Sequence, residues 1–140
     1  MTLILDAAPV VALADHGDPR RAEILEIMQG EPGPLVMPAP VTAEVDYLLG
    51  RRYVRPARVA FLQDLAAGRY TVACLEREDY ATVGALESRY ADLELGLADC
   101  ATVVLASRYD ITRIVTFDER HFRAVTPLQG GAFTLLPADR

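Results

Sequence analysis

The sequence predicts an α/β domain of three layers, α/β/α, around a central parallel sheet of four or five short strands. Three observations predict it. Short apolar runs such as "LIL", "LVMP" and "RIVTF" alternate with longer, helix-like segments, the pattern of a mainly parallel sheet. Several helical segments carry Pro at their start or Gly past their end, as in "PARVAFLQDLAAG", where those residues fit helix boundaries. The segment after Gly96, "LADCATVVLASRY", is apolar nearly all round, which suits a helix buried on every side.

In order, "LIL" reads as a buried strand closed by Asp6, and "AAPVVALAD" as the turn after it. "PRRAEILEIMQ" is amphipathic, with Pro19 at a helix start. "EPGP" is a turn and "LVMP" the second strand. "VTAEVDYLLGRR" reads as a helix ending near Gly50, with Glu44 in its first turn. "PARVAFLQDLAAG" is the next helix, with Pro56 at its first position and Gly68 past its end. "YTVAC" is a strand, "EREDYATVGALESRY" a helix, and the apolar helix opens at Gly96. "RIVTF" and, after "QGG", "FTLL" complete the strands. No repeat, low-complexity tract or linker interrupts them, so residues 1–140 are expected to form a single domain.

Composition narrows the function. Of the 140 residues, 51% are hydrophobic, enough for a full core. No apolar run reaches the roughly 18 residues of a membrane span. The start, "MTLILDAAPVVALAD", has no basic region before its apolar run, and Asp6 interrupts that run; it does not read as a signal peptide. Cys74 and Cys100 lack metal-ligand spacing and sit among apolar residues. They read as small core thiols, consistent with a reducing cytoplasm. The formal net charge is −6, so nucleic acid would need a locally basic surface. All fourteen basic residues are Arg. Without Lys there is no Walker phosphate loop, and no site Lys of the kind used by receiver domains and haloacid-dehalogenase-like phosphatases. Ser88 and Ser107, the two serines, lie outside any G-x-S-x-G motif. His16 and His121 are too far apart for a paired motif, and His121, three residues after Asp118, reads as a surface or supporting residue.

Four acids remain. In parallel sheets ligands bind beyond the carboxyl ends of the strands. Asp6, Glu44, Asp99 and Asp118 are all expected at that edge, although they are spread along the chain. Singly, each has an ordinary explanation. The helix macrodipole favours acids in a first turn by about 0.3–1 kcal/mol, and Asp caps helices and starts turns. Together, four carboxylates at one edge would repel one another unless a hard divalent cation, Mg²⁺ or Mn²⁺, neutralised them.

The chain resembles the PIN-domain ribonucleases, and within them the VapC toxins of toxin–antitoxin pairs. The resemblance runs through "LILDAAPVVALAD", "VTAEVDYLL", "YADLELGLADCATVVLASRY", "RIVTFDERHF" and "GGAFTLLP", nearly the whole chain. It implies an acidic site at Asp6, Glu44, Asp99 and Asp118, with Asp6, Asp99 and Asp118 as metal ligands and Glu44 as a further ligand or a residue that orients the nucleophile. Thr116 matches a Ser or Thr lining that site, and Asp92 an acid that supports it from outside the ligands. The resemblance further implies a Mg²⁺- or Mn²⁺-dependent endoribonuclease, a cognate antitoxin and a homodimer; the lack of a long apolar run predicts no membrane partner. One departure stands out. The family usually has Ser, Thr or Asn two residues after the first acid, and this chain has Ala8.

The densest basic stretch is "GRRYVRPAR". Arg51, Arg52, Arg55 and Arg58 fit a solvated helix end. They fit equally a patch guiding RNA phosphates to the acids, with Tyr53 offering a base a stacking face. Two other functions share these features: a non-catalytic PIN-like module that binds RNA or a partner, and an RNA-processing nuclease outside toxin–antitoxin systems.

Overall fold

The computed structural model of the protein describes residues 2–52 and 55–140. Five strands form one sheet: β1 (Leu3–Leu5), β2 (Leu35–Pro38), β3 (Thr71–Ala73), β4 (Arg113–Val115) and β5 (Thr134–Leu136). Their order is β3-β2-β1-β4-β5 and every pairing is parallel. The chain steps outward from β1 through β2 to β3, then returns to the other side of β1 for β4 and β5. The direction of the crossovers therefore reverses between β1 and β4, and the carboxyl ends of these two strands border a natural ligand crevice.

Among the described residues seven helices accompany the strands: α1 (Ala7–Ala12), α2 (Arg21–Gly30), α3 (Ala39–Arg52), α4 (Arg55–Ala66), α5 (Asp79–Arg89), α6 (Leu97–Arg108) and α7 (Glu119–Ala124). Successive strand residues face opposite sides of a sheet, and the core divides accordingly. Leu3, Leu5, Met37, Val115 and Leu136 pack with residues of α1 to α4. Ile4, Val36, Ile114 and Leu135 pack with residues of α5, α6 and α7. Three layers result, as the apolar strands require. In α6 every residue from Cys100 to Ala106 is buried, which accounts for its lack of a polar face. Truncating the fully buried Leu105 to Ala would cost about 3 kcal/mol through reduced transfer energy and a cavity.

The structure differs from the sequence expectations at several boundaries. Residues 7–12, expected as a turn, form α1. The Asp6 carboxylate caps it, and Pro9 stands in its first turn, where the missing N–H has no partner to lose. A second short helix, α7, follows Asp118, and a 3₁₀ turn spans Ala91–Leu93. Helix α3 begins at Ala39, because Pro40 is also tolerated in a first turn, so Glu44 lies in the second turn and not the first. Helix α2 starts at Arg21, past Pro19. Cys74, expected in the core, is exposed, whereas Cys100 is buried; both are free thiols. Two helix ends have clear causes. Gly68 takes φ 73° after α4, and Asp110 takes φ 52° after α6, the left-handed conformation that Gly and, less often, Asp adopt. Among the described residues no helix is long and apolar enough to cross a membrane.

Candidate active site

The acids at the crevice are held by the central strands. Asp6 follows β1, and its backbone N–H donates to the Val115 carbonyl of β4 at 2.9 Å, which fixes it to the sheet. The residue is only 9% exposed. One carboxylate oxygen accepts the Ala7 N–H at 2.9 Å and caps α1. The other accepts the Thr116 hydroxyl at 2.6 Å. Thr116 follows β4, is buried, and donates its own N–H to the Leu136 carbonyl of β5. Its hydroxyl also accepts the Asp118 N–H at 2.9 Å. One side chain thus sets both the Asp6 carboxylate and the Asp118 backbone. Asp118 in turn caps α7, accepting the His121 N–H at 3.0 Å.

Asp99 comes from the first turn of α6 and Glu44 from α3. Asp99 is half-buried, and Glu44 stands exposed on the rim. These side chains sense one another. The Asp6 pKa is raised by burial, then by the neighbouring Asp118 charge, against the opposing hydrogen bonds from Thr116 and Ala7. Asp99 is raised by burial, then by Asp6 and Asp118, with His121 and the Gly96 N–H working the other way. Glu44 is raised by partial desolvation, then by Asp6 and Asp99. Among the described residues no Arg forms an ion pair with any of the four. The crevice therefore concentrates negative charge at the sheet's switch point with no Arg to balance it.

His121, which reads from sequence as a surface or supporting residue, is drawn into the site by the fold. Its Nδ1 lies 2.6 Å from an Asp118 carboxylate oxygen and 3.4 Å from one of Asp99. That nitrogen is buried and makes no hydrogen bond of acceptable geometry. Ligand atoms of Asp99, Asp118 and His121 all lie within 4.8 Å of one another. The one signal in the sequence is position: His121 is one helical turn after the capping Asp118. An orphaned buried nitrogen beside unbalanced carboxylates suits a divalent cation, whose usual ligands are these donor types.

Other candidates stand apart. Asp92 is exposed in the 3₁₀ turn and makes no hydrogen bond to the four acids among the described residues. Ala8 is exposed in the first turn of α1. Arg51 and Arg52 are exposed on the last turn of α3, seven or more residues beyond Glu44, which is about 10 Å along the axis. Arg51 donates to the Tyr47 hydroxyl at 3.3 Å. Arg55 is exposed at the start of α4, and Arg58 is paired with Asp46. Tyr53 lies outside the described residues.

A family model for the PIN domain matches residues 3–126. The chain belongs to the PIN-domain family. The matched stretch contains all four acids. Ribonuclease VapC26 of Mycobacterium tuberculosis is 36% identical to this PIN domain over 135 residues, covering 96% of this chain and 100% of the relative. The fold recurs in solved structures. The M. tuberculosis toxin VapC20, which cleaves the sarcin–ricin loop, superposes with a TM-score of 0.77 at 19% identity, covering 84% of this chain and 91% of that one. A chain of VapBC2 from Rickettsia felis, solved bound to a DNA fragment from its promoter, superposes with a TM-score of 0.66 at 15% identity, covering 96% of this chain and 97% of that one. This PIN domain is accordingly a homologue of the VapC ribonucleases.

Proposed function

We propose that this PIN domain is a metal-dependent endoribonuclease, the toxin of a toxin–antitoxin pair. The observation that carries the reading is the gathering of four carboxylates, none paired with an Arg among the described residues, around the carboxyl ends of β1 and β4. Asp6, Asp99 and Asp118 would hold a divalent cation, Mg²⁺ or Mn²⁺. When bound, it supplies Lewis acidity toward a phosphodiester and lowers the pKa of water in its coordination sphere. The chain's own residues do the rest. Thr116 fixes the Asp6 carboxylate, so that ligand needs no reorganisation when substrate arrives. Glu44, on the rim with a raised pKa, would be a further ligand or would orient the attacking water, receiving its proton at the carboxylate. Arg51, Arg52 and Arg55 guide RNA phosphates toward the acids, supplying local attraction that the acidic chain lacks overall.

The identity to Ribonuclease VapC26 supports RNA as substrate, and the likeness to a VapBC2 chain supports an antitoxin partner. A homodimer acting in the cytoplasm completes the reading. Ala8 favours a second one. Without the polar side chain usual at that position, the site has one group fewer to position water, as in a non-catalytic module that keeps the fold and binds RNA or a partner.

The test is cleavage of total RNA by the purified protein, with ends mapped, in EDTA and with Mg²⁺ or Mn²⁺. Defined cuts that require the cation, and growth arrest relieved by co-expressing the cognate antitoxin, are expected. Intact RNA with both cations favours the non-catalytic module.

A further inference from the structure

Four carboxylates explain the charge of the crevice but not the imidazole inside it. The position of His121 is set from both sides. Its N–H is fastened to Asp118 at 3.0 Å. The next residue, Phe122, is 1% exposed and packs edge-on to Phe133 with ring centroids 6.3 Å apart. A six-residue helix anchored in this way leaves the His121 ring little freedom. Its Nδ1 is buried and faces Asp118 at 2.6 Å and Asp99 at 3.4 Å without a hydrogen bond of good geometry. A lone pair there faces carboxylate oxygens and is repelled. A proton there is out of line for the closer oxygen. A shared cation resolves both conflicts.

We propose that His121 Nδ1 is a nitrogen ligand to the cation held by Asp99 and Asp118, and that it biases the site toward a first-row transition ion such as Mn²⁺ over Mg²⁺. The inference rests on the metal reading of the acidic site and adds a ligand that reading does not contain. Mg²⁺ takes oxygen donors almost exclusively and dehydrates reluctantly. Imidazole suits transition ions, whose affinity for nitrogen-containing sites rises along the first row.

The test uses the full chain without RNA. Mn²⁺ and Mg²⁺ are titrated into wild type, His121→Ala and His121→Gln, and the Mn²⁺ complexes are studied by pulsed electron paramagnetic resonance. Wild type is expected to bind Mn²⁺ more tightly than Mg²⁺ and to show a coupling from directly bound nitrogen, which changes pattern on ¹⁵N-histidine labelling. Both variants are expected to lose that coupling and about tenfold or more of their Mn²⁺ affinity, with a smaller loss for Mg²⁺. The wild-type spectrum decides the matter even if a variant fails to fold. Tight Mn²⁺ binding without nitrogen coupling overturns the role of His121 and leaves the acidic metal site standing. No Mn²⁺ binding by wild type overturns the metal site itself, and His121 as a ligand with it.

Discussion

Replacing Asp99 with Asn should leave the metal-free protein as stable as wild type or more so, while removing most of the stabilisation that Mn²⁺ confers. In the metal-free crevice the Asp99 carboxylate is penalised by burial and by the Asp6 and Asp118 charges. Asn keeps its shape and removes that charge. The cation works in the opposite direction. A ligand that binds only the folded state at about a hundred times its Kd adds about 2.7 kcal/mol. At about 4 °C per kcal/mol for a domain of this size, wild type should gain about 10 °C in Tm. Removing one charged ligand should weaken binding about a hundredfold, given that even outer partners of metal ligands cost about 10–100-fold. The same Mn²⁺ concentration then sits near Kd and adds only about 0.4 kcal/mol, or about 2 °C. Thermal melts of both proteins in EDTA and in Mn²⁺ measure all four values. An equal Mn²⁺ shift in the two proteins would refute Asp99 as a ligand.

Thr116→Val removes the hydroxyl that binds both Asp6 and the Asp118 N–H. Urea denaturation should show a loss of about 1–2 kcal/mol from the orphaned groups, and RNA cleavage should fall about tenfold. Arg51→Ala with Arg52→Ala should weaken RNA binding and lower its salt slope by about one unit for each phosphate no longer bound; unchanged affinity at low salt would assign these residues to an ordinary helix end. The Glu31 side chain is 2% exposed and pairs with that of Arg113, itself 29% exposed. Burial alone would raise its pKa, but the Arg113 and Gly33 hydrogen bonds hold it below the ordinary 4.5. The pair's stabilisation is therefore full above the ordinary value and is lost as pH falls through the lowered one. Glu31→Gln should cost about 1–2 kcal/mol at neutral pH, discounted for the exposure of Arg113. In urea melts across pH that deficit should shrink below 4.5.

The strands were legible because covered parallel strands are rich in apolar residues, as "LIL", "LVMP" and the Ile114–Val115 centre of "RIVTF" are. Asp6 and Asp118 stood out because a charge directly after such a run is conspicuous. Helix α6 was legible for the same reason. The order β3-β2-β1-β4-β5 was not, because strand adjacency is a tertiary property that no local pattern encodes. Helices α1 and α7 escaped because six residues barely exceed one turn and half of another, too short for a helical period to show. Their side-chain caps, Asp6 and Asp118, are the two acids already singled out for another reason, so capping and site geometry share the same carboxylates. His121 was invisible as a ligand because its partner Asp99 lies on a different helix, and Cys74 was misplaced because β3 ends at the edge of the sheet, where the following residue is exposed.

If the carboxylates at the β1–β4 crevice hold a cation that drives RNA cleavage, Asp6 is where that is best put to the test. The central strand fixes its position, and Asn preserves its shape. The measurement is cleavage of total RNA in Mg²⁺ or Mn²⁺ by wild type and Asp6→Asn, beside their metal-free melting temperatures. A variant that melts at or above the wild-type temperature and no longer cleaves is expected. Undiminished, cation-dependent cleavage by a folded Asp6→Asn protein would show that this carboxylate does not hold the catalytic metal.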